Sequence, residues 1–155
     1  LVEGISLSRD EIVARVMEAG VVGMGGAGFP SHAKIKVPEG KTIDTLIING
    51  VECEPYLTAD HRLMLEKPRE IIVGIRILMR ALGVSRAIIG IEDNKHDAIE
   101  LFGEWLREDK QIEVQPLEVQ YPQGGEKQLI QAVLDREVPS GGLPADVGVI
   151  VHNVG

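Results

Sequence analysis

The stretch from Ile43 to Ile91 reads IDTLIINGVECEPYLTADHRLMLEKPREIIVGIRILMRALGVSRAIIGI and contains the alternation that decides the fold. Its two ends, Ile43–Ile48 and Ala87–Ile91, are short apolar runs, which are typical of buried strands. Between them the sequence predicts two helices, over Thr58–Glu66 and Pro68–Leu82. A strand, a helical crossover and a second apolar strand together indicate a parallel sheet.

The same alternation continues outward on both sides of this stretch. The further predicted elements are a helix that begins after Ser8, a helix over Asn94–Glu108, a strand over Ile112–Val119, a helix over Glu126–Leu134 and a strand over Val147–Val151. Apolar strands joined by helices favour an α/β fold, in which a mostly parallel sheet carries helices on both faces. Ligands of such sheets bind at the carboxyl ends of the strands. These ends are the segments 49–58, 92–94, 120–126 and 152–155.

Several helix boundaries have local signals. Ser8 and Glu11 have the spacing of a capping box, in which the serine and the glutamate bind each other's backbone amides. Gly20 and Gly83 stand where a left-handed residue ends a helix, and Pro68 suits a first helical position. These signals place the first helix immediately before a glycine-rich loop.

Composition and charge exclude several classes of protein. The chain has 155 residues, a length that suits one domain, and its net charge of −8 argues against a nucleic-acid binder. A single cysteine excludes an internal disulfide, a four-cysteine zinc site and an iron–sulfur cluster held by this chain alone. The histidines have no metal-ligand spacing, and no apolar run is long enough to span a membrane. Both ends are expected to be cut from a longer protein.

The loop from Gly23 to Pro30 reads GMGGAGFP and contains G-x-G-x-x-G. The dinucleotide fingerprint follows a strand, whereas here a helix precedes the glycines, so the ordinary Rossmann interpretation is rejected. Glycines permit several backbone amides to converge on an anion or a ring, and they equally permit a tight connection. Lys34 is either a cation for that ligand or a solvated side chain. The residues alone do not decide whether the glycines bind a ligand or form a tight connection. They also do not decide whether Lys34 contacts that ligand or is solvated.

The segment from Asn49 to Tyr56 reads NGVECEPY and follows the first predicted strand. Asn49, Glu52 and Glu54 at a strand end suggest a polar rim for a ligand, and the alternative is a solvated loop. Cys53 has no neighbouring lysine or arginine to activate it, so a nucleophilic role is not expected.

Four segments, taken in order, are more specific together than any one alone. They read GMGGAGFPSHAKI from Gly23, INGVECEPYLTADHRLM from Ile48, YPQGGEKQLI from Tyr121 and VPSGGLPADVGVIVHNVG from Val138. Together they resemble the flavin domain of the C subunit of Rnf-type ion-translocating ferredoxin:NAD oxidoreductase complexes, over about residues 20–155. That subunit is similar to the FMN- and NADH-binding flavoprotein subunit of respiratory complex I. The cobalamin reductase of propanediol-utilisation compartments belongs to the same superfamily and is the alternative.

The resemblance implies a Rossmann-like three-layer sandwich over residues 1–155, with FMN in the cleft and NAD(H) stacked on the flavin. In this interpretation Lys34 orients the flavin, while Glu54 and Glu126 hold the nicotinamide or ribose. The cofactor-binding residues implied by the matched motifs are Gly23, Gly25, Gly26, Gly28, Phe29, Lys34, Asn49, Glu52, Cys53, Glu54, Gly124, Glu126 and Asn153.

The sequence departs from the complex I pattern at several of these motifs. Met24 stands where complex I has arginine, Val51 where it has aspartate, and Cys53 where it has serine. Gly125 replaces the first of two glutamates, and His152 replaces the first of two asparagines. These departures motivate a second hypothesis, a non-catalytic docking domain that has lost its flavin. A third, independent of the resemblance, is a generic nucleotide-binding α/β domain.

The first hypothesis is an electron-transfer domain that passes electrons between NAD(H) and ferredoxin-type clusters through FMN. The resemblance implies a β-grasp-like domain and [4Fe–4S] clusters in parts of the subunit that lie outside this chain. It also implies partner subunits of a membrane electron-transport complex, so that the domain is peripheral on the cytoplasmic face of the membrane without a span of its own. Nucleic acid is not an expected partner.

Overall fold

The computed structural model describes residues 6–23, 28–52, 58–118 and 125–155. Its helices are α1 Arg9–Glu18, α2 Ser31–Ile35, α3 Ala59–Glu66, α4 Pro68–Leu82, α5 His96–Trp105 and α6 Glu126–Leu134. Its strands are β1 Thr45–Gly50, β2 Arg86–Glu92, β3 Ile112–Leu117 and β4 Val149–Asn153, and a 3₁₀ helix covers Pro144–Val147.

The four strands form one parallel sheet in the order β3–β2–β1–β4. The predicted α/β architecture is therefore confirmed. The two central strands, β1 and β2, are buried along their length, apart from Arg86 at the start of β2. Because all strands run in the same direction, their carboxyl ends meet at one edge of the sheet, which we call the carboxyl edge.

Two apolar clusters cover the two faces of the sheet. The larger cluster joins alternate residues of the strands, such as Leu46 and Ile48, to side chains from α1 to α5. The smaller cluster joins Ile47 and Val151 to α6 through Leu129. The alternation along β1 puts adjacent residues on opposite faces, and helices on both faces bury them. None of the helices in the described ranges has the length and apolar character that a bilayer crossing requires.

The local signals for helix ends have the predicted geometry. The Ser8 hydroxyl accepts from the amide of Glu11, whose carboxylate accepts from the amide of Ser8 at 2.7 Å. Gly83 ends α4 in the left-handed region at φ 71°, and Gly20 has φ 64° after α1. Pro68 is the first residue of α4, as expected.

The structure shifts several predicted boundaries and adds two short helices. The helix predicted over Asn94–Glu108 is shorter, at His96–Trp105, and β2 is one residue longer at each end than the predicted Ala87–Ile91. The first strand begins at Thr45 rather than Ile43. The strand β1 runs to Gly50 rather than Ile48, because Asn49 and Gly50 continue the parallel pairing with β2. The last strand starts at Val149 rather than Val147, since the 3₁₀ helix ends at Gly148 in a left-handed turn. Neither that helix nor α2 is predicted from the sequence, because each is too short for a periodic apolar pattern.

A buried ionic network ties the carboxyl edge to the helices that start there. Lys95 Nζ lies 3.3 Å from Glu52 Oε2, beyond β1, and 2.6 Å from Glu92 Oε2, at the end of β2. Glu52 Oε1 accepts from the amide of Asp60 in the first turn of α3 at 3.1 Å. The three charged side chains are only 8–11% exposed. Opposite charges in contact offset much of the desolvation cost, so the network holds β1, β2, α3 and α5 in one arrangement.

The carboxylate of Asp60 lies in an unfavourable electrostatic environment at the start of α3. Burial, together with the charge of Glu52, raises the pKa of its carboxyl above the usual value, although Lys95 acts in the opposite direction. The folded state therefore binds the Asp60 proton more tightly than the unfolded state does. This contribution to stability is complete below the unfolded pKa and is lost as the pH rises through the raised value.

Gly50→Ala is predicted to destabilise the sheet. A Cβ at Gly50 would lie 2.8 Å from the backbone oxygen of Gly90 and 3.2 Å from the sulfur of Met64, so β1 and β2 would have to separate. We expect urea unfolding to report a loss of about 1–3 kcal/mol. The matched control is Gly74→Ala in α4, where nothing lies within 4 Å. It should gain roughly 0.5–1 kcal/mol, since alanine loses less conformational entropy in a helix. Equal effects at the two positions would contradict the close approach of the strands.

Asp60→Asn is predicted to raise the free energy of unfolding at pH 7, because it removes a half-buried charge beside Glu52. The gain should shrink as the pH falls through the raised pKa, since the aspartate then takes up a proton itself. The control is Asp10→Asn in the exposed first turn of α1, which should bring no gain. Urea titrations at pH 4, 5.5 and 7 measure the difference, and a gain independent of pH would contradict this assignment.

Candidate functional site

The carboxyl edge brings two predicted binding residues, Asn49 and Asn153, side by side. They are register partners on β1 and β4, and the Asn49 side-chain amide donates to Asn153 Oδ1 at 3.2 Å. Asn49 Oδ1 accepts from the amide of Val51, and its backbone oxygen accepts from the amide of Val154 at 3.0 Å. The two asparagines therefore fix the directions in which both strands leave the sheet.

The glycine loop is closed at its base. The amide of Gly23 donates to the oxygen of Phe29 at 3.0 Å, and the amide of Ser31 donates to the oxygen of Val21 at the same distance. These bonds hold residues 21–23 against 29–31 in a short antiparallel bridge. Gly28 lies at φ 66°, and a Cβ there would meet no atom of the described residues within 4 Å, so among those residues its backbone borders open space. Phe29 is 57% exposed, which leaves its ring available for stacking.

Lys34 and Glu126 are 92 positions apart in the chain, and the structure pairs them. Lys34 Nζ, on α2, lies 2.5 Å from Glu126 Oε1, in the first turn of α6. The two side chains are 30% and 42% exposed, and ion pairs with such access to water contribute only about 0–1 kcal/mol. An anionic ligand can therefore take the ammonium group from Glu126 at small cost.

Glu52 has a different environment from the one that the sequence predicts. Both of its oxygens are engaged within the protein, one by Lys95 and the other by the start of α3. Its side chain is buried, so its described contacts position the loop that follows. Sequence reasoning missed Lys95, although its place three residues after Glu92 in a strand-end segment is a signal for such an ion pair.

His152 is a further residue of the carboxyl edge that the matched motifs do not assign. It lies in β4 next to Asn153, and its Nε2 is buried. Burial lowers the pKa of His152 to about 4, and the positive charge of Lys34 acts in the same direction. The imidazole is therefore neutral at pH 7.

Five of the predicted binding residues lie outside the described residues. They are Gly25, Gly26, Cys53, Glu54 and Gly124. The other eight lie at the carboxyl edge or in the segments that flank the glycine loop.

The comparisons with known proteins agree with this geometry. The family described as the Nuo51 FMN-binding domain matches residues 16–155. The C subunit of the Na⁺-translocating ferredoxin:NAD⁺ oxidoreductase complex of Acetobacterium woodii is 50% identical over 149 residues, which are 96% of this chain and 34% of that protein. The C subunit of the proton-translocating ferredoxin:NAD⁺ oxidoreductase complex of Clostridium ljungdahlii is 51% identical over 161 residues, covering 99% of this chain and 35% of that protein.

A solved structure has the same fold. The NAD⁺-reducing NiFe-hydrogenase in its air-oxidised state superposes with a TM-score of 0.76 and 27% identity, over 95% of this chain and 29% of that one. The chain spans about a third of the length of these curated relatives. The resemblance to Rnf-type C subunits and to the complex I flavoprotein is confirmed. The chain belongs to the family of the Nuo51 FMN-binding domain.

Proposed function

We propose that this domain binds FMN at the carboxyl edge and transfers electrons within an ion-translocating ferredoxin:NAD⁺ oxidoreductase. The observation that carries the proposal is the pairing of Asn49 with Asn153 at the carboxyl edge of a sheet whose family is described as FMN-binding. The exposed pair of Lys34 with Glu126, between α2 and α6, supplies a cation for an anionic ligand. The cofactor-binding residues proposed from the matched motifs are Gly23, Gly25, Gly26, Gly28, Phe29, Lys34, Asn49, Glu52, Cys53, Glu54, Gly124, Glu126 and Asn153.

The described residues fit such a cofactor. FMN combines an anionic phosphate, a polar ribityl chain and a flat ring. Lys34 is a cation with a weak, exposed partner, and His152 has a buried nitrogen without one. Gly28 exposes backbone to open space, which suits close approach of a ligand. These features supply charge, a polar contact and room at the edge where α/β sheets bind ligands.

Bound FMN supplies the redox chemistry, since a flavin accepts a hydride and also exchanges single electrons. The protein positions that chemistry and tunes it. The buried Glu52–Lys95 pair fixes the position of Glu52 just beyond β1, and Asn49 fixes the direction of that strand end. Glu54 and Glu126 are proposed to accept hydrogen bonds from the nicotinamide or ribose. Carboxylates near the ring disfavour negative charge on the reduced flavin and so lower its potential.

The proposed exchange partners are NAD(H) on one side and ferredoxin-type iron–sulfur clusters on the other. The names of the relatives, which are subunits of ferredoxin:NAD⁺ oxidoreductase complexes, support this assignment. The chain has one cysteine, so the clusters belong to other segments or subunits. Association with a membrane complex would follow through partner subunits.

A docking domain without flavin is the second candidate, and the environment of Val51 favours it. Complex I has aspartate at this position, whereas Val51 is 8% exposed and packs in the smaller apolar cluster. An apolar side chain of the core thus stands where complex I has a polar one. A protein that binds its partner subunits and stays colourless with excess FMN would support this candidate against the first.

The intact polypeptide is predicted to bind FMN and to undergo reduction by NADH. Titration should quench the fluorescence of FMN with a Kd in the micromolar range or below, which corresponds to at least about 8 kcal/mol of binding free energy. Addition of NADH under anaerobic conditions should then bleach the visible flavin band. Absence of binding would reject the proposal, and binding without bleaching would reject NADH as the donor.

Lys34→Met is predicted to weaken FMN binding by roughly 10- to 100-fold, because a charge-assisted hydrogen bond contributes about 1.5–3 kcal/mol. Stability should change little, since the Lys34–Glu126 pair is exposed. The matched control is Lys41→Met, which removes a pair with Asp146 at 2.8 Å, before β1 and thus towards the opposite edge. Its Kd should equal that of the unaltered protein. Equal Kd values for all three proteins would show that Lys34 does not contact the cofactor.

A further inference from the structure

One buried polar atom of the sheet, His152 Nε2, has no hydrogen-bond partner among the described residues. Among the buried side-chain nitrogens and oxygens in the part of the chain that the structure describes, His152 Nε2 is the one without a hydrogen-bond partner. Nearly all such atoms in folded proteins are paired. Leaving such an atom unpaired costs desolvation free energy that no hydrogen bond returns, so an unpaired atom at a strand end needs an explanation.

The position of His152 in the sheet limits what its unpaired nitrogen can contact. It is the penultimate residue of β4, the register partner of Ile48, and the neighbour of Asn153. Side chains alternate along a strand, so His152 shares the face of Ile150, which packs in the larger cluster, and Asn153 takes the other face. The histidine therefore stands at the point where this face of the sheet reaches the carboxyl edge.

Lys34 is the charged neighbour that matters for this imidazole. Its positive charge disfavours a second proton on the ring, and burial of the ring acts more strongly in the same sense, which accounts for the pKa of about 4. A neutral imidazole keeps Nε2 either as a donor or as an acceptor, according to the tautomer. Nε2 thus offers an uncharged polar contact within the electrostatic reach of a cation.

We propose that His152 is a flavin-binding residue, whose Nε2 forms a hydrogen bond with FMN beside Lys34. This inference rests on the proposed function and adds to it a residue that the matched motifs leave unassigned. In the complex I pattern an asparagine stands here, so the histidine supplies one ring nitrogen in place of an amide. Binding of FMN would then give the buried nitrogen the partner that the described residues do not provide.

A structural role for His152 makes the opposite prediction about stability. If Nε2 served the fold, its removal would destabilise the ligand-free protein. If it serves the ligand, replacement by a similar-sized apolar side chain removes an unpaired polar atom and leaves stability unchanged or higher. Stability without ligand and affinity for FMN are therefore separate readouts of the two roles.

The test compares His152→Leu, His152→Gln and the control His96→Leu in the intact polypeptide. Glutamine places an amide nitrogen near the position of Nε2, and His96 is an exposed residue at the start of α5. Quenching of FMN fluorescence should give a Kd that is roughly tenfold higher for His152→Leu, as the loss of one hydrogen bond predicts. His152→Gln should stay near the unaltered value, as should His96→Leu. Thermal melts without FMN should show no loss of Tm for His152→Leu.

Several outcomes would overturn the inference. A lower Tm of ligand-free His152→Leu would assign Nε2 to the fold, and an unchanged Kd would remove it from the flavin site. A glutamine variant as weak as the leucine variant would mean that ring shape, rather than a hydrogen bond, is responsible. If the unaltered protein binds FMN and only these results fail, the proposed function stands without His152. If it binds no FMN, both proposals are wrong.

Discussion

The ammonium group of Lys95, buried between Glu52 and Glu92, is the contact on which the carboxyl edge depends. It joins the ends of the two central strands, and Glu52 extends the connection to the first turn of α3. A buried ion pair adds little to stability compared with an apolar contact of the same size, but loss of one partner is costly. Here the ion pair fixes the position of Glu52, just beyond the end of β1.

The ion pairs near the carboxyl edge differ in their access to water. The Lys95 network is nearly closed to water, whereas the Lys34–Glu126 pair is open to it. Water screens the open pair, so a ligand phosphate competes with Glu126 for Lys34 at low cost. The same edge thus combines a fixed frame with a cation that can exchange partners. That combination suits the proposed binding of FMN.

Much of the fold follows from local sequence patterns. The apolar runs that became β1 and β2, the capping box at Ser8 and the glycine that ends α4 all have their predicted geometry. Shorter elements escaped prediction, because α2 has five residues and the 3₁₀ helix four. Elements of that length contain too few residues for a periodic pattern. Their conformation depends on neighbours that are distant in the chain.

The sequence by itself determined the class of fold, and it predicted the edge at which a ligand is proposed to bind and the residues proposed to hold it. Apolar periodicity and the alternation of strands and helices along the chain are local properties, so they are readable from the sequence, whereas the pairing of β1 with β4 is not. Only the tertiary structure decided that Glu52 belongs to Lys95, that Lys34 meets Glu126 across 92 positions, and that His152 Nε2 is unpaired. These contacts depend on which side chains the folded sheet brings within a few ångströms of each other. A single sequence does not show which residues far apart in the chain will be neighbours.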